Sequence, residues 1–266
     1  MGNRLNATAI VGLEFAQRQL VTPRIADPLE RGRPLVAAVG TRGFEIRAAH
    51  SWRERSDASL LINKLYGNRG YKNMPLPTEV DASQLTLVAN DQGTVVGTLS
   101  VGFDVDDRLL ADETFPDEIN ALRNSGRQVC EFTKFAADGL ICSQQVLAAM
   151  FHVAFIQAHR IRGCDNLLIE VNPRHTRFYK SKLGFVDVGP ERLNHRVNAP
   201  AVLLSLDLWQ TQQKIRTFGG KPELSATERT LFPFGFSVDE EAGIAERLRE
   251  QEIHSHRIAP FGLLPA

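Results

Sequence analysis

An apolar run, Leu167, Leu168, Ile169, Glu170 and Val171, lies between the chain's clearest helix and a second, shorter one. Few folds accept that order. An apolar strand buried on both faces needs helices or sheet on either side of it. The preceding helix, Ser143 to Arg160, sets Val146, Leu147, Met150, Phe151, Ala154, Phe155 and Ala158 on one wide apolar face, with Ser143 as a plausible N-cap. The following helix runs from about Pro173 to Lys182. Asn172 is placed to cap it, and Pro173 takes the favoured first position. Such a unit predicts an α/β layer architecture.

Further elements extend this unit in both directions. Phe44 to Ala49 reads as a strand. Ala58, Leu61, Ile62, Leu65 and Tyr66 recur at helical spacing after it. Leu85–Ala89 and Thr94–Val101 flank Asn90 to Gly93, a hairpin pattern. A short helix is expected around Asp117–Arg123. Arg127 to Ala136 reads as the next strand, and Ala201–Leu208 as the second strand of a late hairpin. Residues 1–40 read as an extension with one short helix around Val11–Gln19. Residues 41–209 form the expected catalytic domain, and 210–266 a helical appendage. Ser237 and Glu240 make a capping-box pattern for a helix running to about His254.

Composition excludes several classes. Lys plus Arg and Asp plus Glu are 31 each, which gives no global reason for a nucleic-acid partner. Three cysteines, Cys130, Cys142 and Cys164, are widely spaced and odd in number, so neither a disulfide framework nor a zinc site is expected. No apolar run approaches the roughly 20 residues of a membrane span. The expected location is the cytoplasm.

The chemistry concentrates in Cys130-Glu131-Phe132-Thr133-Lys134-Phe135-Ala136. Strand alternation puts Glu131 with Thr133 and Phe135, and Lys134 with Phe132 on the other face. A bulge between them would bring Glu131 and Lys134 to one cleft. Alone, Glu131 fits a base or a structurally paired carboxylate. Lys134 fits a carboxylate holder, a partner steadying Glu131, or a structural ion pair.

The order of elements, with Tyr179-Lys-Ser-Lys-Leu-Gly-Phe185, resembles the GCN5-related N-acetyltransferase superfamily. Glu131-Phe-Thr-Lys134-Phe resembles the Glu-x-x-Arg-Phe strand of its acyl-homoserine-lactone synthase branch. The combination resembles most the N-acyl amino acid synthases, the long-chain N-acyltyrosine type, over about Phe44 to Leu208. That resemblance implies a mixed, mostly antiparallel sheet flanked by helices. It also implies an N-acyltransferase that moves a long-chain fatty acyl group from an acyl-carrier-protein thioester to the amine of an amino acid.

Two departures stand out. Lysine replaces the usual arginine at Lys134, and the two are not interchangeable. The loop expected to cradle coenzyme A diphosphate, Ala137 to Gln144, has one glycine and no adjacent arginine. Phosphate cradles need closely spaced free N–H groups.

The implied reaction is aminolysis of a thioester. Glu131 is the candidate base and Lys134 a second catalytic candidate. Tyr179 is placed near the departing sulfur. Backbone N–H groups near Phe135, Ala136 and Ala137 are the candidate oxyanion donors and donor contacts. Arg174, Arg177 and Lys180, at three-residue steps, form a basic helix face suited to a carrier protein or to the phosphate of its phosphopantetheine arm. Tyr66, Arg69, Tyr71 and Phe103 are the expected substrate contacts, with Lys72 and Met74 in the same loop. For the acceptor carboxylate the candidates are Arg69, Lys72 and Lys134. His175 reads as exposed or capping, and His195 and Arg196 as cleft-mouth or surface residues. Three rival readings are an acetyl-coenzyme A-dependent amine or protein acetyltransferase, an acyl-homoserine-lactone synthase, and an inactive binding module.

Overall fold

The computed structural model describes residues 11–17, 40–71, 75–77, 81–139 and 141–258. Lys72 and Met74 lie outside them, as does most of the expected extension. The elements run β1 (Val11–Gln17), β2 (Gly40–Ala48), α1 (Trp52–Gly67), β3 (Gln84–Asp91), β4 (Thr94–Phe103) and α2 (Pro116–Asn124). Then come β5 (Val129–Ala137), α3 (Gln144–Phe155), β6 (Asn166–Val171), α4 (Thr176–Leu183), β7 (Val186–Asp187), β8 (Arg192–Asn194), β9 (Ala199–Asp207), α5 (Leu208–Phe218) and α6 (Val238–Ile258).

The sheet order is β1-β2-β3-β4-β5-β6-β9-β7, with β8 paired to β9. Among the described residues only β5 and β6 run parallel, so the sheet is mixed and mostly antiparallel. The short helix expected around Val11–Gln19 is instead a strand, β1, paired antiparallel with β2. Val11, Leu13 and Phe15 repeat every second residue, which is the strand period.

Local chemistry explains the boundaries. Ser51 and Glu54 form a capping box at α1. Gln92 and Gly93 have φ of 49° and 89°, the pair of positive values that a tight hairpin turn requires, and Asn90 Oδ1 accepts the Gly93 N–H at 2.7 Å. Ser143 Oγ accepts the Val146 N–H at 3.3 Å and starts α3, which continues through a π-helical turn to Ile161. Asn172 Oδ1 accepts the Arg174 N–H at 3.2 Å ahead of Pro173.

The largest core lies between one face of the sheet and α3, α4, α5 and α6. It contains Phe132, Phe151, Leu204, Leu231, Phe232, Phe236, Ile244 and Leu248. A smaller core on the opposite face joins α2 to Val129, Leu168 and Leu203. The C-terminal segment is tied down by a buried histidine. The Phe236 N–H donates to His152 Nδ1 at 2.9 Å, which leaves the ring proton on Nε2, 3.2 Å from Glu241. The expected capping box is present, with Ser237 and Glu240 bonding reciprocally. No helix among the described residues is long and apolar enough to cross a membrane.

Candidate active site

β5 and β6 pair from Val129–Asn166 to Phe132–Ile169 and then separate. Their separated halves line a cleft of about 430 Å³. Parallel strands that part in this way leave main-chain groups of Thr133 to Ala137 without a neighbour on the β6 side. The N–H groups of this stretch that do not pair with β4 are the candidate oxyanion donors.

Lys134 sits at an irregularity in the β4–β5 ladder. Thr98 pairs with Ala136, but Ser100 pairs with Thr133, so Lys134 and Phe135 together oppose Leu99. Lys134 has φ of 50°, the left-handed region that costs a side-chain-bearing residue about 1–2 kcal/mol. Its carbonyl is held by Thr98 Oγ1 at 2.8 Å. This is the bulge that breaks alternation, and it brings Lys134 into the same cleft as Glu131. Burial lowers the Lys134 ammonium pKa, with Arg55 adding to the effect and Glu131 opposing it.

Glu131 is 4% exposed. Its carboxylate accepts the Leu110 N–H at 2.8 Å and the Ala111 N–H at 3.1 Å. Burial pushes its pKa up to about 7, opposed by those two N–H groups and by Arg196, and reinforced by Glu170. The segment that grips it is itself strapped down. Arg123 bonds Asp104 and Asp112 at 2.7 Å each, and Asp112 accepts the Leu109 N–H at 2.8 Å.

Gly102 lies directly across the ladder from Glu131. A Cβ there would stand 3.1 Å from Glu131 Cγ and 3.2 Å from Oε1. Gly102→Ala should therefore displace a pinned carboxylate and leave the fold intact. Transfer rate is expected to fall by about tenfold or more, since misplacements near 1 Å can cost about 100-fold. Single-turnover kinetics beside a thermal melt would check it; an unchanged rate would show that Glu131 tolerates the shift.

Tyr179 and Tyr66 lie on the helical side of the cleft. Burial raises both phenols, Tyr66 to about 12 and Tyr179 further, so each keeps its proton as a donor. Tyr66 donates to the Phe135 carbonyl at 3.3 Å. Phe135 meets Tyr179 edge-on at 6.5 Å and Phe151 at 5.0 Å. Arg69, Tyr71 and Ala137 also line the cleft. Arg174 reaches its mouth by donating to the Tyr71 hydroxyl at 2.9 Å.

The structure does not bring the remaining expected residues to the cleft. Phe103 pairs with Cys130, at the end of β4 away from the splay, and packs under Arg162. Ala136 packs in the cluster beneath α1. Lys180 is ion-paired with Asp187, and Arg177 is exposed on the outer face of α4. His175, expected at the surface or as a cap, lines the cleft; burial lowers its pKa, and Arg69 and Arg174 lower it further. Glu170, Asn194 and Leu110 join the cleft unannounced by any motif, and Arg196 lines it rather than the outer surface. One signal was available: Glu170 is the only charge in its apolar strand.

The family model of the N-acyl amino acid synthase FeeM matches residues 57–207. The chain belongs to this family. Its reaction class is therefore acyl transfer to an amine. The structure of FeeM, an N-acyl amino acid synthase from uncultured soil microbes, is similar with a TM-score of 0.57 at 25% identity, over 65% of this chain and 94% of that one. The AHL synthase LasI gives a TM-score of 0.45 at 14% identity, over 62% and 90%. An acyl-CoA N-acyltransferase from Pseudomonas aeruginosa gives 0.44 at 12%, over 62% and 98%. No curated protein matches the chain. The family match ends at Asp207, so α5, α6 and the turns between them lie beyond it.

Proposed function

We propose that this protein transfers a long-chain fatty acyl group from an acyl-carrier-protein thioester to the amine of an amino acid. The observation that carries this reading is Glu131. A carboxylate is seated on two backbone N–H groups where β5 and β6 part, with Lys134 bulged into the same cleft and Tyr179 lining it.

An amino acid arrives as an ammonium and must lose a proton before it can attack. Glu131, with a pKa near neutrality, takes that proton. The amine nitrogen bonds to the thioester carbon, and negative charge collects on the carbonyl oxygen beside the stretch of β5 that has left β6. The C–S bond then breaks, and the amine's second proton ends on the departing sulfur. Tyr179, held protonated, donates a hydrogen bond to that sulfur.

Support for a carrier-protein donor comes from the turn before α3. The Ile141 and Cys142 N–H groups both donate to the Asp138 carbonyl, at 3.0 and 2.8 Å. N–H groups engaged inside the turn are not free to hold a diphosphate. Arg69 and Arg174, exposed at the mouth, suit the single phosphate of a phosphopantetheine arm.

Intact-mass analysis tests the reading. The protein would be incubated with palmitoyl-acyl carrier protein, palmitoyl- or acetyl-coenzyme A, and the twenty amino acids. A long-chain N-acyl amino acid made from the carrier-protein thioester is the expected product. Product from acetyl-coenzyme A alone would replace this reading with a conventional acetyltransferase.

A further inference from the structure

The half of the cleft on Glu131's side of the sheet holds charges that the acyl donor does not need. Glu131 pairs in parallel with Leu168, so Glu170, two residues on, projects from the same face. Asn194 Nδ2 donates to Glu170 Oε1 at 2.7 Å, and Arg196 Nη2 bonds Glu170 Oε2. The Arg196 backbone N–H closes onto Asn194 Oδ1 at 2.8 Å, so one hairpin loop positions both side chains. Arg196 Nη1 bonds the Leu110 carbonyl and, at 3.0 Å, Glu113.

One donor is left over. Arg196 Nε is buried and has no partner, and Thr133 Oγ1, on the β5 lip of the same cleft, is in the same state. Buried polar groups are almost always paired, and an orphan costs about 1–3 kcal/mol. Nη2, on the same edge of the planar guanidinium, already holds Glu170, so a guest carboxylate would add one charge-assisted bond at Nε. Three carboxylates lie about the guanidinium: Glu170 bonds Nη2, Glu113 bonds Nη1, and Glu131 lines the same cleft, with Lys134 a nearby cation. The site therefore suits a guest with both a carboxylate for Nε and an ammonium for the surrounding acids.

We propose that Glu170, Asn194 and Arg196 form the acceptor site: Arg196 seats the carboxylate of a free amino acid, and Glu170, held by Asn194, receives its ammonium beside Glu131. The proposal rests on the acyl-transfer reading for its catalytic meaning, but the binding it describes needs no acyl donor. It assigns to Arg196 the role for which the sequence offers Arg69, Lys72 and Lys134 as candidates. Arg69 is exposed at the mouth, and Lys134, which lines the cleft as well, is separated from Arg196 by the substitutions below.

The test compares L-phenylalanine with L-phenylalaninamide, L-tyrosine with L-tyrosinamide and L-leucine with L-leucinamide. Binding to the full chain is followed by saturation-transfer NMR without donor, and turnover with palmitoyl-acyl carrier protein. Wild type should favour at least one acid over its amide by about 100-fold. Arg196→Gln should cut that preference to within a few-fold and leave the donor KM unchanged; Arg196→Lys should restore part of it. Glu170→Gln should raise the acceptor KM, with Asn194 still bonded to the amide oxygen. Melting curves confirm that each variant is folded.

An undiminished preference in Arg196→Gln overturns the proposal, as does its loss in Lys134→Met instead. So does a wild type that binds acids and amides alike. Acid-selective binding that depends on Arg196, with no acylation of any amine, upholds this site and overturns the acyl-transfer reading.

Discussion

Glu131→Gln should lower the rate of acyl transfer by about 100- to 10,000-fold, the usual range for a positioned base. In wild type the single-turnover rate should rise with pH through about 7, because only the ionised carboxylate accepts the ammonium proton. The same titration reads out in stability. Glu131 has a folded-state pKa of about 7 against 4.5 for an ordinary glutamate, so the folded protein binds its proton more tightly than the unfolded chain does. Stability from this group is full below pH 4.5 and is lost as pH climbs from 4.5 to 7. At high pH the loss is on the order of 3 kcal/mol. Glutamine does not ionise. It also offers only one acceptor to the two N–H groups of Leu110 and Ala111, a pH-independent cost of about 1–3 kcal/mol. The diagnostic is therefore how the stability difference between variant and wild type changes with pH. It should swing in the variant's favour across that window and be flat above it. Chemical denaturation at several pH values measures this. A difference that stays constant from pH 4 to 8 would remove Glu131 as the group titrating in the cleft.

The donor half of this cleft was more legible in the sequence than the acceptor half, and the reason is geometric. Glu131, Lys134, Phe135 and Tyr179 lie in two short segments whose neighbours in sequence are neighbours in space. The bulge at Lys134 could be posed as an alternative from strand alternation, because the two possible faces predict different sites. The acceptor half is assembled from β6, the β8–β9 hairpin and the turn at Leu110, which are far apart along the chain. Arg196 looks like any polar loop residue until the hairpin folds back over Glu170. Phe103 and Ala136 were misplaced for a related reason. Their strands were correct, but which end of β4 lies at the splay, and which face of β5 turns to α1, depend on a register that composition does not carry. Three-residue spacing grouped Arg174, Arg177 and Lys180, yet only the first lies close enough to the cleft to reach Tyr71. β1 shows the opposite case: its alternation was present, but a short apolar segment gives weak evidence between helix and strand.

Removing residues 210–266 should abolish cooperative folding, although that segment lies beyond the family match and reads from sequence as an appendage. Ile215, Leu231, Phe232, Phe236, Ile244 and Leu248 are each buried in the same core as Phe132, Phe151 and Leu204. Burying a large apolar side chain contributes about 1.5–3 kcal/mol. Six such losses match or exceed the whole net stability of a typical domain, about 5–15 kcal/mol. The truncation also strands His152. Its Nδ1 would lose the Phe236 N–H and its Nε2 would lose Glu241, both partners of a ring that is 4% exposed in the intact fold. A shortened chain ending at Trp209 should show a broad, weak melting transition and bind a hydrophobic dye. A gentler version asks the same question of a full-length chain. Phe232→Ala should cost about 3–5 kcal/mol, the range for emptying a core phenylalanine site. It should lower the activity only in proportion to unfolding, since Phe232 does not line the cleft. A shortened chain that melts sharply, within a few degrees of the intact protein, would show that the sheet and α3 form a sufficient core alone. The C-terminal helices would then be a cover on a finished domain rather than one of its layers.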